Sequence, residues 1–127
     1  MIDKATIANP KTKYGHGHKG TREFVVQRIT GALNVLFTLF FAWFVVSLAG
    51  AERAQMLDVV RNPFVAIVLV ALIVNVCVHM RIGMHEVIED YIYDEGQNRL
   101  LNTLNTLFAI LVAALTIAAV AKIAFWG

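Results

Sequence analysis

The chain has 127 residues, of which 58% are apolar and 16% charged, with a formal net charge of +2. Its apolar residues gather into three long blocks, a pattern that excludes a soluble globular domain and points to a membrane protein. The one cysteine, Cys77, rules out an intrachain disulfide and is expected to pack within a span, and so modest a charge leaves no nucleic-acid partner expected.

Residues 1–28 are polar and hold six basic side chains (Lys4, Lys11, Lys13, Lys19, Arg22, Arg28) against Asp3 and Glu23, whereas the first loop has only Arg53 and Arg61 as basic residues. The positive-inside rule therefore puts this segment in the cytoplasm, or in the matrix of a mitochondrion, with the 81–99 loop on the same side. Positions 1–20 lack an apolar stretch of the kind a cleavable secretory signal carries. His16 and His18 sit in this tail without acidic or thiolate companions, which falls short of a structural zinc set.

Uncharged runs follow at 29–51, 62–80 and 100–121, each near the roughly 20 residues a helix needs to cross a bilayer. They show no period-2 alternation, so helices rather than a barrel are expected. The predicted fold is all-α: a cytoplasmic segment at 1–28, then a three-helix transmembrane anchor at 29–127 with spans over about 29–51, 62–88 and 100–124. Trp43 and Trp126 fall near the outer ends, as interfacial aromatics do.

The second run contains a lone histidine, His79. If the helix continues past Met80, Asn75, His79, Gly83, Glu86 and Asp90 follow at intervals of four, four, three and four, along one stripe. A polar stripe facing lipid is costly, so it should turn toward another helix or a cofactor. A neutral imidazole ligates iron well, and a glycine one turn away leaves room for a flat macrocycle, which makes haem the natural candidate. The alternative is a hydrogen-bonded packing histidine. The chain has no second opposed ligand, so a bis-histidine haem would take its other axial ligand from a partner subunit. In the third run Asn102, Thr103, Asn105 and Thr106 suit helix–helix hydrogen bonding. Arg81 is open to several partners: a propionate, Glu86 or Glu89, or water. The acidic residues between 86 and 95 suit a basic docking surface on a partner.

The stretch His79-Met80-Arg81-Ile82-Gly83-Met84-His85-Glu86-Val87-Ile88-Glu89-Asp90-Tyr91 resembles the signature of the membrane-anchor subunits of succinate dehydrogenase, with a histidine, a glycine four residues on and an Asp-Tyr pair closing the helix. The segment from Gly20 to Thr30, containing Arg28, is similar to that family's lead into its first helix. The resemblance implies a non-catalytic subunit of an enzyme complex. In it His79 would be one axial ligand of haem b, Gly83 would pack on the haem and Arg28 would face its propionates. Tyr91 would hydrogen-bond a carbonyl of ubiquinone, with Asp90 beside it in the same site. The implied partners are a larger cytochrome b subunit, an iron–sulfur subunit, a flavoprotein and membrane lipid. The absence of an Arg/Ser-rich transit segment favours the bacterial inner membrane over the mitochondrial one. A snorkelling anchor role for Arg28 and an interfacial-belt role for Tyr91 remain as alternatives. So do a fumarate reductase anchor, a proton relay through Asn75, His79, Glu86 and Asp90, and a scaffold with an incidental histidine.

Overall fold

In the computed structural model, which describes residues 17–126, four helices run in chain order: α1 (Gly17–Leu48), α2 (Arg53–Arg61), α3 (Pro63–Tyr91) and α4 (Glu95–Trp126). The described residues are all-helical, as expected, and contain no strand. Within α1, α3 and α4, segments of 28, 29 and 32 residues are long and apolar enough to cross a membrane. α1 begins well ahead of the uncharged run, so the polar residues 17–28 continue the same helix. α3 passes Met80 without a break and ends at Tyr91. The short α2 in the first loop is an element that apolar run length does not reveal. The histidine pair considered at positions 16 and 18 lies outside the described side chains.

Local chemistry explains where the helices start and stop. Gly50, at φ 79°, takes the left-handed conformation that closes α1, and only there does the chain use a positive φ among described residues. The Gln55 side chain accepts the Glu52 backbone N–H at 2.9 Å at the start of α2. Asn62 caps α3, accepting the backbone N–H groups of Phe64 at 3.0 Å and Val65 at 3.4 Å, and Pro63 fills the first helical position, where no N–H is needed. Asp94 caps α4 through Gln97 N–H at 3.0 Å.

α3 is the central element, packing against α1 on one side and α4 on the other. Paired positions run in opposite directions along both seams: Thr30 with His79 and Asn34 with Asn75, then Arg81 with Thr106 and His85 with Asn102. Both helix pairs are therefore antiparallel. Few side chains are buried; Val65, Cys77, Ile82, Ile88, Ala109 and Val120 make up the apolar core of the described residues. Cys77 packs there, as expected. Large apolar side chains such as Leu36, Val46, Ile67 and Leu115 face outward. Such a surface suits lipid or a neighbouring subunit, because lipid tails are as apolar as leucine.

With so little apolar burial, polar contacts hold the α1–α3 seam in register. Asn75, 7% exposed, donates from Nδ2 to the Thr30 backbone carbonyl at 3.0 Å and to Asn34 Oδ1. Asn75→Ala is expected to destabilise the purified protein by about 1–2 kcal/mol, since membrane hydrogen bonds average about 0.6 kcal/mol each. Thermal unfolding in mild detergent reads this, and an unchanged midpoint would remove the seam's claim to stability. At Gly83 an added Cβ would come within 3.3 Å of Gln27 Nε2, the end of a flexible side chain. Gly83→Ala is therefore expected to shift stability by less than about 1 kcal/mol, whereas Gly83→Leu drives α1 from α3.

Candidate functional site

The polar stripe on α3 splits into two parts. Asn75, His79 and Gly83 face α1, while Glu86 and Asp90 lie exposed further along the helix. His79 is partly buried, and its Nδ1 stands 3.0 Å from the Thr30 hydroxyl. That hydroxyl donates to the Val26 carbonyl at 2.8 Å, with the Gln27 carbonyl at 3.2 Å as a second acceptor. Gly31 lets α1 approach the ring, because a Cβ there would sit 3.3 Å from His79 Cε1. The imidazole thus rests with its Nδ1 and Cε1 edge on Thr30 and Gly31, and Nε2 is the nitrogen left for another ligand.

The clearance at Gly83 is taken up by Gln27, whose Oε1 is buried and has no hydrogen-bond partner among the described residues. Burying an unpaired amide oxygen is unfavourable, so this spot favours a donor brought from outside the chain. Arg28, one position on, is exposed and lays its guanidinium 4.9 Å from the centroid of the Phe24 ring. No group of three or more His, Cys, Asp or Glu side chains able to hold a bare metal ion occurs among the described residues.

The α3–α4 seam carries the second polar set. His85 Nδ1 lies 2.8 Å from Asn102 Oδ1, and Asn102 Nδ2 donates to Asn98 Oδ1 at 2.9 Å and to Glu89 at 3.3 Å. Asn105 donates to the Arg81 carbonyl at 2.9 Å, and Arg81 Nε donates to Thr106 Oγ1 at 3.2 Å. The asparagines of α4 thus do the interhelix bonding their sequence positions suggest. Arg81 turns to α4, not to the acidic residues on the following turns of its own helix. A polar groove of about 820 Å³ opens beside this network, lined by Glu89, Tyr93, Arg99 and Asn102 among others.

Tyr91 is 75% exposed and Asp90 is exposed as well. The tyrosine borders an apolar groove of about 390 Å³ whose walls include Met84, Val87, Leu104 and Phe108. Twelve residues separate His79 from Tyr91, which is about 18 Å along the axis and about 120° around it. The histidine and the tyrosine therefore belong to different faces of α3. Sequence reasoning missed Thr30, Gly31, Asn34 and Gln27. Thr30 and Asn34, one helical turn apart in an apolar run, are the signal that could have found two of them.

No solved structure matches this chain. The succinate dehydrogenase hydrophobic membrane anchor subunit of Rickettsia bellii (strain RML369-C) is 31% identical over 120 residues, covering 92% of this chain and 93% of the relative. That of Rickettsia conorii (strain ATCC VR-613 / Malish 7) is 27% identical over 117 residues, covering 91% and 92%. The family model described as succinate dehydrogenase/fumarate reductase transmembrane subunit matches residues 3–121, nearly the full length of the three-helix scaffold. The chain, an integral membrane protein, belongs to the succinate dehydrogenase/fumarate reductase transmembrane subunit family.

Proposed function

We infer that this chain is the hydrophobic membrane anchor of a succinate:quinone oxidoreductase, supplying one axial ligand to haem b and one wall of a ubiquinone-reduction site. The observation that carries the reading is His79, held at Nδ1 by Thr30 with Nε2 left over, in a helix long and apolar enough to span the bilayer. A single imidazole suits a haem iron, whose remaining ligands would come from outside this chain. Haem b, when bound, would hold and pass single electrons.

The remaining roles fall to this chain's own groups. His79 Nε2 would bind the haem iron, and a histidine of the larger cytochrome b subunit would supply a second ligand. Gly83 would leave room at the haem edge once the flexible Gln27 side chain that fills its clearance turns aside. Arg28 offers a fork of N–H donors to propionates at the N-terminal half of α1. Tyr91 would donate its phenolic O–H to a quinone carbonyl while the apolar groove beside it receives the ring, with the exposed Asp90 its neighbour in the chain. The basic residues of 1–28 put this end in the cytoplasm, where an iron–sulfur subunit and a flavoprotein would dock. Electrons from succinate would then reach quinone without crossing the membrane. The setting is the bacterial inner membrane.

A tagged copy purified in mild detergent should bring down a flavoprotein and an iron–sulfur protein and support succinate-driven quinone reduction. A fumarate reductase anchor, the second reading within the family, predicts fumarate reduction by quinol as the faster direction. His79→Ala should lose haem absorbance while still inserting into the membrane, and unchanged haem content would refute the ligand assignment. Tyr91→Phe should lower quinone reduction about two- to tenfold, the worth of one neutral hydrogen bond, with assembly intact. Normal quinone kinetics in that variant would end the direct role of Tyr91.

A further inference from the structure

Thr30 is buried, 8% exposed, and its hydroxyl proton has a place to go that is not the histidine. The Val26 carbonyl, four residues back on α1, lies 2.8 Å from Oγ1, closer than His79 Nδ1 at 3.0 Å. A threonine hydroxyl has one proton and two lone pairs. With the proton committed to Val26, Oγ1 faces His79 as an acceptor, so the ring carries its own proton on Nδ1. That tautomer places the lone pair on Nε2. Asn75 fixes the same segment of α1 by donating to the Thr30 carbonyl, and Gly31 lets the helix backbone sit close to Cε1. The threonine is therefore held at three points: by its own helix, by Asn75 and by the imidazole.

We propose that Thr30 is a positioning residue that sets the tautomer, ring plane and donor strength of His79, by accepting the Nδ1–H hydrogen bond while its own proton is tied to the Val26 carbonyl. The proposal rests on the reading of His79 as an iron ligand and extends it to a residue on another helix. An imidazole whose Nδ1–H is hydrogen-bonded is a more basic donor at Nε2, and a more basic donor favours ferric over ferrous iron. Thr30 thus lowers the reduction potential of the haem that His79 ligates. The effect acts through ligand electronics and does not need Thr30 to touch the macrocycle.

The test uses the whole membrane complex purified with this chain as Thr30→Val, Thr30→Ser and His79→Ala. Haem content, the low-spin ferric resonance spectrum and the midpoint potential are measured by redox titration. Thr30→Val preserves shape and removes the acceptor. It is expected to raise the midpoint by an amount on the order of a tenfold change in the ferric-to-ferrous ratio, about 59 mV for one electron, or to lose haem outright. Thr30→Ser is expected to retain wild-type haem content and potential, since it keeps the hydroxyl. Thr30→Val with wild-type potential and spectrum overturns the proposal, and so does equal impairment in the valine and serine variants. If His79→Ala has lost haem while Thr30→Val is unaltered, only the role of Thr30 falls. If His79→Ala keeps haem, the ligand assignment itself falls.

Discussion

The seam between α1 and α3 is held by a few hydrogen bonds in a region where water is scarce, and the positions of the other candidate groups follow from it. Asn75 ties the Thr30 carbonyl and Asn34, while Thr30 meets His79 through its side chain. In lipid, apolar contacts between helices gain little over contacts with acyl chains, so polar pairs and close backbone approach decide which faces meet. A rotation of α1 by a fraction of a turn would separate all of these contacts together. The seam thereby chooses the edge of the imidazole that α1 covers and the edge that remains open.

α3 presents two distinct flanks because its length and pitch allow them. The His79 flank looks to α1, and the Tyr91 flank opens beside α4, with His85 and Asn102 bonded across the same α3–α4 seam. Groups twelve residues apart on one helix cannot share a small ligand, and here they do not share a face. One helix in this way presents separate polar groups to α1 and to α4. α4 supports the second flank by hydrogen-bonding Arg81 and His85, polar groups that are expensive close to lipid.

Much of this was legible in the sequence, because the physics behind it is local or periodic. Three spans could be read from uncharged run length, the unbroken α3 from the polar stripe, and the α4 contacts from asparagines and threonines spaced to share a side. α2 was hidden because a nine-residue amphipathic helix leaves no mark on run length. The early start of α1 was hidden because helix continuity across 17–28 does not depend on apolarity. Thr30 escaped notice for a different reason. A threonine in an apolar helix is unremarkable until its partner is known, and that partner is 49 positions away. Arg81 likewise had several chemically reasonable partners nearby, and the choice of Thr106 depends on how α4 packs.

The length of α3 bears on how anything reaches Tyr91. Twenty-nine residues make a rod of about 43 Å, whereas the hydrocarbon core of a bilayer is about 30 Å thick. With the Pro63 end at one boundary, the oily layer is exhausted after about 20 residues, near Ile82 and Gly83. The final two turns therefore pass through the headgroup layer, and Asp90 and Tyr91 emerge about 12 Å beyond the edge of the hydrocarbon. A long-tailed molecule with a polar head would have to lift that head to the membrane surface to touch the tyrosine, while its tail stayed dissolved in the membrane.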